Sequence, residues 1–539
     1  RRLAPSAACA LVARPAPGFS HPERRRLLYH LPDDFEQRSP AQQVEILAWV
    51  RRTFRSEDSD YRRRQATATA GAYGIRFPEH QGWKTSPRAT TGRRLRAGTR
   101  PAPVALSNEM GDLLAFKTAT FAAPDRPRAS VWSAATADLR IEHLGLFFGA
   151  VAGDPQGPVG GLGAPLEALT FALMLFPAVI DDYLEWRSRR RGFLTVWEVD
   201  LLICIAGLVH PQTGWLAQTP ALAARLQPIP HLVRADEIAA VRGDWAAACA
   251  RIAAFAEMRS KEVKRICRRH HDPFEPIVVV LEADRPLSVY RRIADEIRAR
   301  RPDARHHRRA AAENARAYLM FRFALHLGFR QRTLRELQVC PRGRPPTPAP
   351  ELDAARRGEL RWSERLAGWE VVAPPSAFKN AASSYFQGRQ YQLRLPDVAG
   401  LYDEIDAYLA VHRRVLLGGV KDPGTFFVKQ VKAGRANAAM NDTDFYSAWR
   451  ALIERYGVYN PYTGRGAIAG LLPHGPHCAR HVLATHVLKQ TGSFEQAGFA
   501  IQDNARAVEQ YYGRFLPREK AARSAQLLDP VWAEGAPDS

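Results

Sequence analysis

Residues 473–486 read Pro473-His474-Gly475-Pro476-His477-Cys478-Ala479-Arg480-His481-Val482-Leu483-Ala484-Thr485-His486. Proline is favoured in the first turn of a helix, so Pro476 marks a helix start, and residues three apart share one helical face. His477 and Arg480 therefore address the same point. A guanidinium is a planar fork suited to two non-bridging phosphate oxygens, which makes that point a candidate phosphate site. His474, His481 and His486 share no metal-ligand spacing with a carboxylate or thiolate, so no metal is expected and packing or capping roles are assigned to them.

Working outward, 500–515 read Ala500-Ile501-Gln502-Asp503-Asn504-Ala505-Arg506-Ala507-Val508-Glu509-Gln510-Tyr511-Tyr512-Gly513-Arg514-Phe515, with a helix predicted over 503–512. Upstream, a helix over 310–326 stops at Gly328, and Thr333-Leu334-Arg335-Glu336 matches a capping box that opens the next helix. Arg330 then lies in a helix-to-helix turn. Gly368 to Ala373, Pro374-Pro375 and Ala377-Phe378-Lys379-Asn380 together read as a small β-hairpin with Lys379 near its tip, and Lys421 is a less well placed competitor.

These stretches, in this order, resemble the boxes of tyrosine recombinases and phage integrases. The 473–486 segment is similar to the family's His-x-x-Arg-His box, and 327–337 to its first Arg box. Phe378-Lys379-Asn380 is similar to its Lys-bearing hairpin. The 500–515 segment is similar to the final box, where a His or Trp precedes the helix that bears the nucleophilic tyrosine. The resemblance implies site-specific DNA recombination or integration, as in mobile genetic elements, through a 3′-phosphotyrosyl intermediate. It implies Tyr512 as nucleophile, Arg330 and Arg480 as charge stabilisers, Lys379 as acid for the departing 5′ oxygen, and His477 as an aid to proton transfer or phosphate binding. It further implies no metal and no cofactor, double-stranded DNA as partner, tetramers assembled on DNA, and accessory recombination proteins.

Two departures stand out. Gln502 occupies the His or Trp position, where an amide can donate to a phosphate oxygen but cannot carry a proton. Thr333 stands where the family has an acidic residue. Tyr512 is preferred to Tyr511 because Gly513-Arg514-Phe515-Leu516-Pro517 follows it as a small-basic-apolar tail does in the family; Tyr511 is read as a packed aromatic beside it. The rival readings are a type IB topoisomerase or telomere resolvase, which use the same residue types, and a non-catalytic DNA-binding relative, favoured by Gln502 and Thr333.

The composition agrees with a polyanionic partner. The 539 residues hold 77 Lys and Arg, mostly Arg, against 55 Asp and Glu, a formal charge of +22. Six scattered cysteines indicate neither a disulfide framework nor a zinc site and fit a reducing cytoplasm, here taken as bacterial and nucleoid-associated. The longest apolar run, 168–180, contains Thr170 and Pro177 and falls short of the roughly 20 residues that span a bilayer, so it reads as a buried helix. The opening residues lack the apolar core of a signal peptide, and the missing initiator Met points to a truncated or misassigned beginning.

The fold expected is mainly α with a small antiparallel β-sheet, in several domains. Residues 1–140 carry a short helix over 42–54 and a basic, structureless stretch over 84–103, with a DNA-binding arm, partner contacts or disorder as alternatives. Residues 141–300 form a helical domain with helices over 168–186, 196–209 and 235–268, which by position in the chain would be the family's core-binding domain. Within it, Asp181-Asp182-Tyr183-Leu184-Glu185-Trp186 reads as a helix end followed by a DNA-facing basic turn, 187–191. The basic cluster 305–309 reads as a linker, 301–525 as the catalytic domain, and 526–539 as a tail.

Overall fold

A computed structural model describes residues 27–54, 73–80, 100–267, 272–381, 385–386, 388–431 and 436–513. Residues 84–99 of the expected basic stretch, the opening residues and the tail 526–539 lie outside the described residues. The chain is mainly α-helical with a small sheet, and it divides into two units: residues up to 56 together with those from 272 onward, and residues 57–271. The first described segment thus joins the C-terminal unit.

The reason is an apolar stripe. Helix α1, Pro40–Phe54, buries Ile46, Val50 and Phe54, spaced four apart on one face, within the core of the C-terminal unit. Trp49 meets Tyr462 edge-on at 5.8 Å, and the Asn460 amide donates to His30 O at 2.8 Å. Further along that unit come α2, Pro286–Ala299, and α3, Arg308–Leu327. Helix α3 is buried almost all round, which marks it as the central helix of this unit. Its Asn314 bonds Ile297 O at 2.9 Å, and its Arg316 bonds Val428 O at 3.0 Å.

A short helix α4, Gln331–Arg335, precedes a four-stranded sheet of β1, Gln338–Cys340, β2, Glu359–Ser363, β3, Gly368–Ala373, and β4, Tyr391–Arg394. Strand β1 pairs parallel with β2, while β2 with β3 and β3 with β4 are antiparallel, so the sheet is mixed rather than wholly antiparallel. Every residue of β3 is buried. Its Glu370 is held by Arg361 at 2.9 Å and by Gln392 at 2.7 Å, as a buried carboxylate requires. The partner expected for β3 at 377–380 is instead 391–394, because Pro374 and Pro375 lead into a 3₁₀ turn, Pro375–Ala377. Lys379 therefore stands on a long β3–β4 connection rather than at a tight hairpin tip.

Helix α5, Asp442–Leu452, leads to the C-terminal helices α6, His477–Thr491, α7, Phe494–Ile501, and α8, Ala505–Tyr512. Glycine ends α3 and α6 in the left-handed conformation at Gly328 and Gly492, and Asn441, Ser493 and Asn504 cap α5, α7 and α8 with their side chains. The capping box expected at Thr333 does not form: α4 starts after Arg330, and the Thr333 hydroxyl donates to Ala377 O at 3.2 Å.

Among the described residues, the second unit is a helical domain with a short parallel strand pair, Ile75–Arg76 with Arg100–Pro101. Its helices are Val104–Thr118, Ala134–Val151, Pro177–Arg191, Val196–Leu208, Ala235–Gly243 and Trp245–Ile266. The helix expected over 168–186 begins only at Pro177, whose missing N–H is tolerated at a helix start; before it, Phe176 is extended and Phe171–Leu175 is 3₁₀. The run 235–268 is broken at Asp244, which caps its second half. The basic residues 187–191 lie within a helix rather than a turn. Arg187 is 1% exposed, paired with Glu198 at 2.7 Å and bonded to the Tyr73 hydroxyl at 2.6 Å, so it does not face solvent. Among the described residues no helix is long and apolar enough to cross a membrane.

Candidate active site

The close approach of two chain segments builds the site. At the end of α3, Gly328 has φ +60°, and a Cβ there would collide with the carbonyl oxygen of Ala500 at the end of α7. The same crossing is tied twice more. Arg480 on α6 donates to Gly328 O, and the Gln502 amide donates to Leu327 O at 2.7 Å and to Ala500 O at 3.2 Å. Gln502 itself adopts the left-handed conformation, φ +49°, at the C-terminus of α7, a strained choice for a residue other than glycine. Two residues beyond Gly328 and one beyond Gln502, Arg330 meets Asp503.

One oxygen of Asp503 accepts from Arg330 Nη2 at 2.7 Å and lies 3.5 Å from Arg480 Nη2. The other arm of Arg330 donates to Asn380 Oδ1 at 2.9 Å, and Asn380 in turn donates to Gln502 O at 2.7 Å. The β3–β4 connection that bears Lys379 is thereby fastened to the same point. Lys379 is exposed there. Arg480 is 2% exposed, and its Nε has no hydrogen-bond partner among the described residues. Burial, then the neighbouring Arg330, push its guanidinium down to about 10, against the pull of Tyr512 and Asp503, so it keeps its charge at neutral pH.

His477 opens α6 and is exposed. Partial desolvation of the ring, followed by the charges of Arg480, Arg330 and Lys379, pushes its imidazole down to about 4, and Asp503 opposes them. It is neutral at pH 7 for as long as no further anion enters. Tyr512, on the last turn of α8, is 5% exposed, and its hydroxyl lies 2.8 Å from His481 Nδ1. Burial pushes the phenol up to about 12, while Arg480 and Arg330 both pull it down.

The structure therefore brings together Arg330, Lys379, His477, Arg480 and Tyr512. Gln502 stands beside them but is turned away: both hydrogens of its amide are spent on backbone carbonyls, and its Oε1 is buried with no partner among the described residues. It braces the backbone and in this arrangement offers no donor to a phosphate. Tyr511, expected to be packed, is 57% exposed, and His481, expected only to pack or cap, makes the hydrogen bond to Tyr512. Sequence reasoning missed Asp503, Asn380 and His481. The usable signals were slight: Asp503 and Asn380 each adjoin a residue already singled out, and His481 is one turn after His477. Among the described residues no group of three His, Cys, Asp or Glu side chains could hold a metal ion.

The arrangement is a cationic cluster, two guanidiniums sharing one carboxylate oxygen with an exposed lysine nearby, beside a buried phenol. Such a cluster suits an anionic ester group, and convergent guanidiniums offset negative charge that develops on it.

No family model and no curated protein matches the chain. Among solved structures it is similar to the XerH site-specific recombinase bound to a palindromic difH substrate in a post-cleavage complex, at 13% identity and a TM-score of 0.28. That match covers 45% of this chain and 52% of the other, so the chain spans about half the length of the protein it resembles. The similarity is weak and partial.

Proposed function

We propose that the unit bearing Tyr512 cuts and rejoins DNA by site-specific strand transfer through a 3′-phosphotyrosyl link. One observation carries the reading: Arg330 and Arg480, 150 positions apart in sequence, converge on a single oxygen of Asp503 beside the buried Tyr512, which feels both charges. The unpaired Nε of Arg480 supports it, since a buried guanidinium with an idle donor is suited to a further anion.

In the reaction, a DNA phosphate takes the place of the Asp503 carboxylate on the two arginines, which neutralise charge on the five-coordinate phosphorus. The Tyr512 oxygen attacks in line, and the 5′ oxygen departs with a proton from Lys379. His477, neutral in the free protein, gains basicity when the phosphate arrives and binds one of its oxygens. The phosphotyrosine conserves the energy of the ester, so a 5′ hydroxyl can reverse the step with no nucleotide cofactor and no metal. The charge of +22 supports duplex DNA as partner, and the helical unit of residues 57–271 is proposed as its second DNA-binding part. Recombination between two duplexes entails self-association on DNA, proposed as a tetramer.

A second reading, a DNA-binding relative with weak chemistry, is favoured by the carboxylate already seated on the arginine pair and by Gln502, whose donors are spent. A nicked suicide duplex separates the two. The strand-transfer reading expects a covalent protein–DNA adduct that survives denaturing electrophoresis and is lost in Tyr512→Phe. Binding without an adduct on any duplex would leave the second reading.

A further inference from the structure

Tyr512 cannot attack as it stands. With its phenol pushed up to about 12, roughly one molecule in 10⁵ is ionised at pH 7, so the proton must leave as the bond to phosphorus forms. Lys379 is committed to the departing oxygen, and His477 is not hydrogen-bonded to the phenol in this arrangement. The group in place is His481. Its Nδ1 lies 2.8 Å from the Tyr512 oxygen, and both residues are buried, His481 to 6% exposure. The ring is held on α6 between Phe274, at 4.6 Å, and His477, at 4.7 Å and edge-on, so it cannot swing away without unpacking both.

We propose that His481, not His477, accepts the proton of Tyr512 during strand cleavage; this rests on the strand-transfer reading above. The neutral imidazole carries its proton on Nε2 and leaves Nδ1 as acceptor for the phenol. As the Tyr512 oxygen bonds to phosphorus, its proton passes to Nδ1. The bond from phosphorus to the 5′ oxygen breaks, its electron pair stays on that oxygen, and Lys379 supplies the proton that completes the hydroxyl. The phosphodiester charge is unchanged, His481 has gained one proton and Lys379 has lost one. Rejoining runs backwards: Lys379 takes the proton of the 5′ hydroxyl, and His481 returns its own to the departing tyrosine.

The test uses the full chain on a nicked suicide duplex randomised in sequence around the nick, with the sequences captured by wild type used thereafter. These are made in two forms, one with the ordinary 5′ oxygen and one with sulfur in its place. A thiolate departs without a proton, so sulfur relieves a missing leaving-group acid but not a missing base on the nucleophile. His481→Asn keeps an amide where Nδ1 stood but takes up no proton. The expected result is adduct formation at least about 100-fold slower than wild type on both substrates, with DNA binding intact, whereas Lys379→Ala is slow on oxygen and restored on sulfur. If His481→Asn fails to fold, His481→Gln takes its place in the same comparison. Cleavage by a folded variant within about threefold of wild type, or its rescue by sulfur, would overturn the assignment. No adduct from wild type on either duplex would overturn the strand-transfer reading, and the role of His481 with it.

Discussion

Asp503 and Arg330 form the hinge of the site: the carboxylate accepts from Arg330 Nη2 at 2.7 Å while its same oxygen stands 3.5 Å from Arg480 Nη2. Two cations that would repel one another are held at one place by an anion that occupies the position proposed for phosphate. Asp503 is thus both the organiser of the arginine pair and the first competitor of the substrate.

Asp503→Asn separates those effects. Loss of the carboxylate leaves the buried Arg480 and the half-buried Arg330 without their shared counter-charge and is expected to cost about 1–3 kcal/mol of stability. Affinity for a short duplex at low salt is expected to rise, because no internal anion is displaced. Denaturant melts and fluorescence anisotropy read the two. Unchanged stability together with unchanged affinity would show that Asp503 does not govern the pair.

Gln502 is predicted to matter for stability rather than chemistry. Its amide serves Leu327 O and Ala500 O, so Gln502→Leu strips two buried carbonyls of a donor and is expected to cost about 1–3 kcal/mol, read as a drop in urea midpoint. Gln502→His, which supplies a group able to carry a proton, is expected not to speed adduct formation. A faster variant would mean that position 502 reaches the phosphate after all.

Acid weakens the C-terminal unit in a definite window. His474 Nδ1 faces Leu472 O at 2.7 Å and must donate there, so Nε2 accepts from the Tyr290 hydroxyl at 2.7 Å, and only the neutral ring satisfies both. Burial pushes this imidazole down to about 4. A folded value below the unfolded one of about 6.5 gives stability that is complete above pH 6.5 and is lost as pH falls through 4, roughly 3 kcal/mol for this group. His326, also pushed down to about 4 by burial and Arg322, adds in the same direction. Urea midpoints measured from pH 7 to pH 4 should fall steeply, and a flat profile would contradict the buried neutral tautomer.

Helix α1 is predicted to be part of the C-terminal unit's core rather than an appendage. Phe54, fully buried and stacked on His30 at 3.6 Å, should cost about 3–5 kcal/mol when changed to Ala. If Phe54→Ala melts like wild type, α1 contributes nothing to that core.

The parts of this fold that were legible in sequence are those with local causes. Pro476 starts α6, Gly328 stops α3, and the three-residue spacing puts His477 and Arg480 on one face. What escaped depends on distant partners. Asp503 has no local mark of its role, since the arginine it holds is 173 positions away. The amide of Gln502 looked free to meet a phosphate because Leu327 O, its actual partner, is 175 positions off. The stripe on α1 reads locally as a short helix, and nothing near it in sequence tells that its core lies beyond residue 272. Ala377 to Asn380 reads as a returning strand for β3, but the two prolines before it divert the chain and the pairing residues come only at Tyr391–Arg394.

Whether Tyr512 is the nucleophile is read by locating the DNA on the protein. Adduct trapped on a nicked suicide duplex is digested with nuclease and trypsin, and the peptide Ala507-Val508-Glu509-Gln510-Tyr511-Tyr512-Gly513-Arg514 is fragmented in the mass spectrometer. A nucleotide remnant is expected on Tyr512 and none on the exposed Tyr511. A remnant on Tyr511, or on a residue outside this peptide, would contradict Tyr512 as nucleophile.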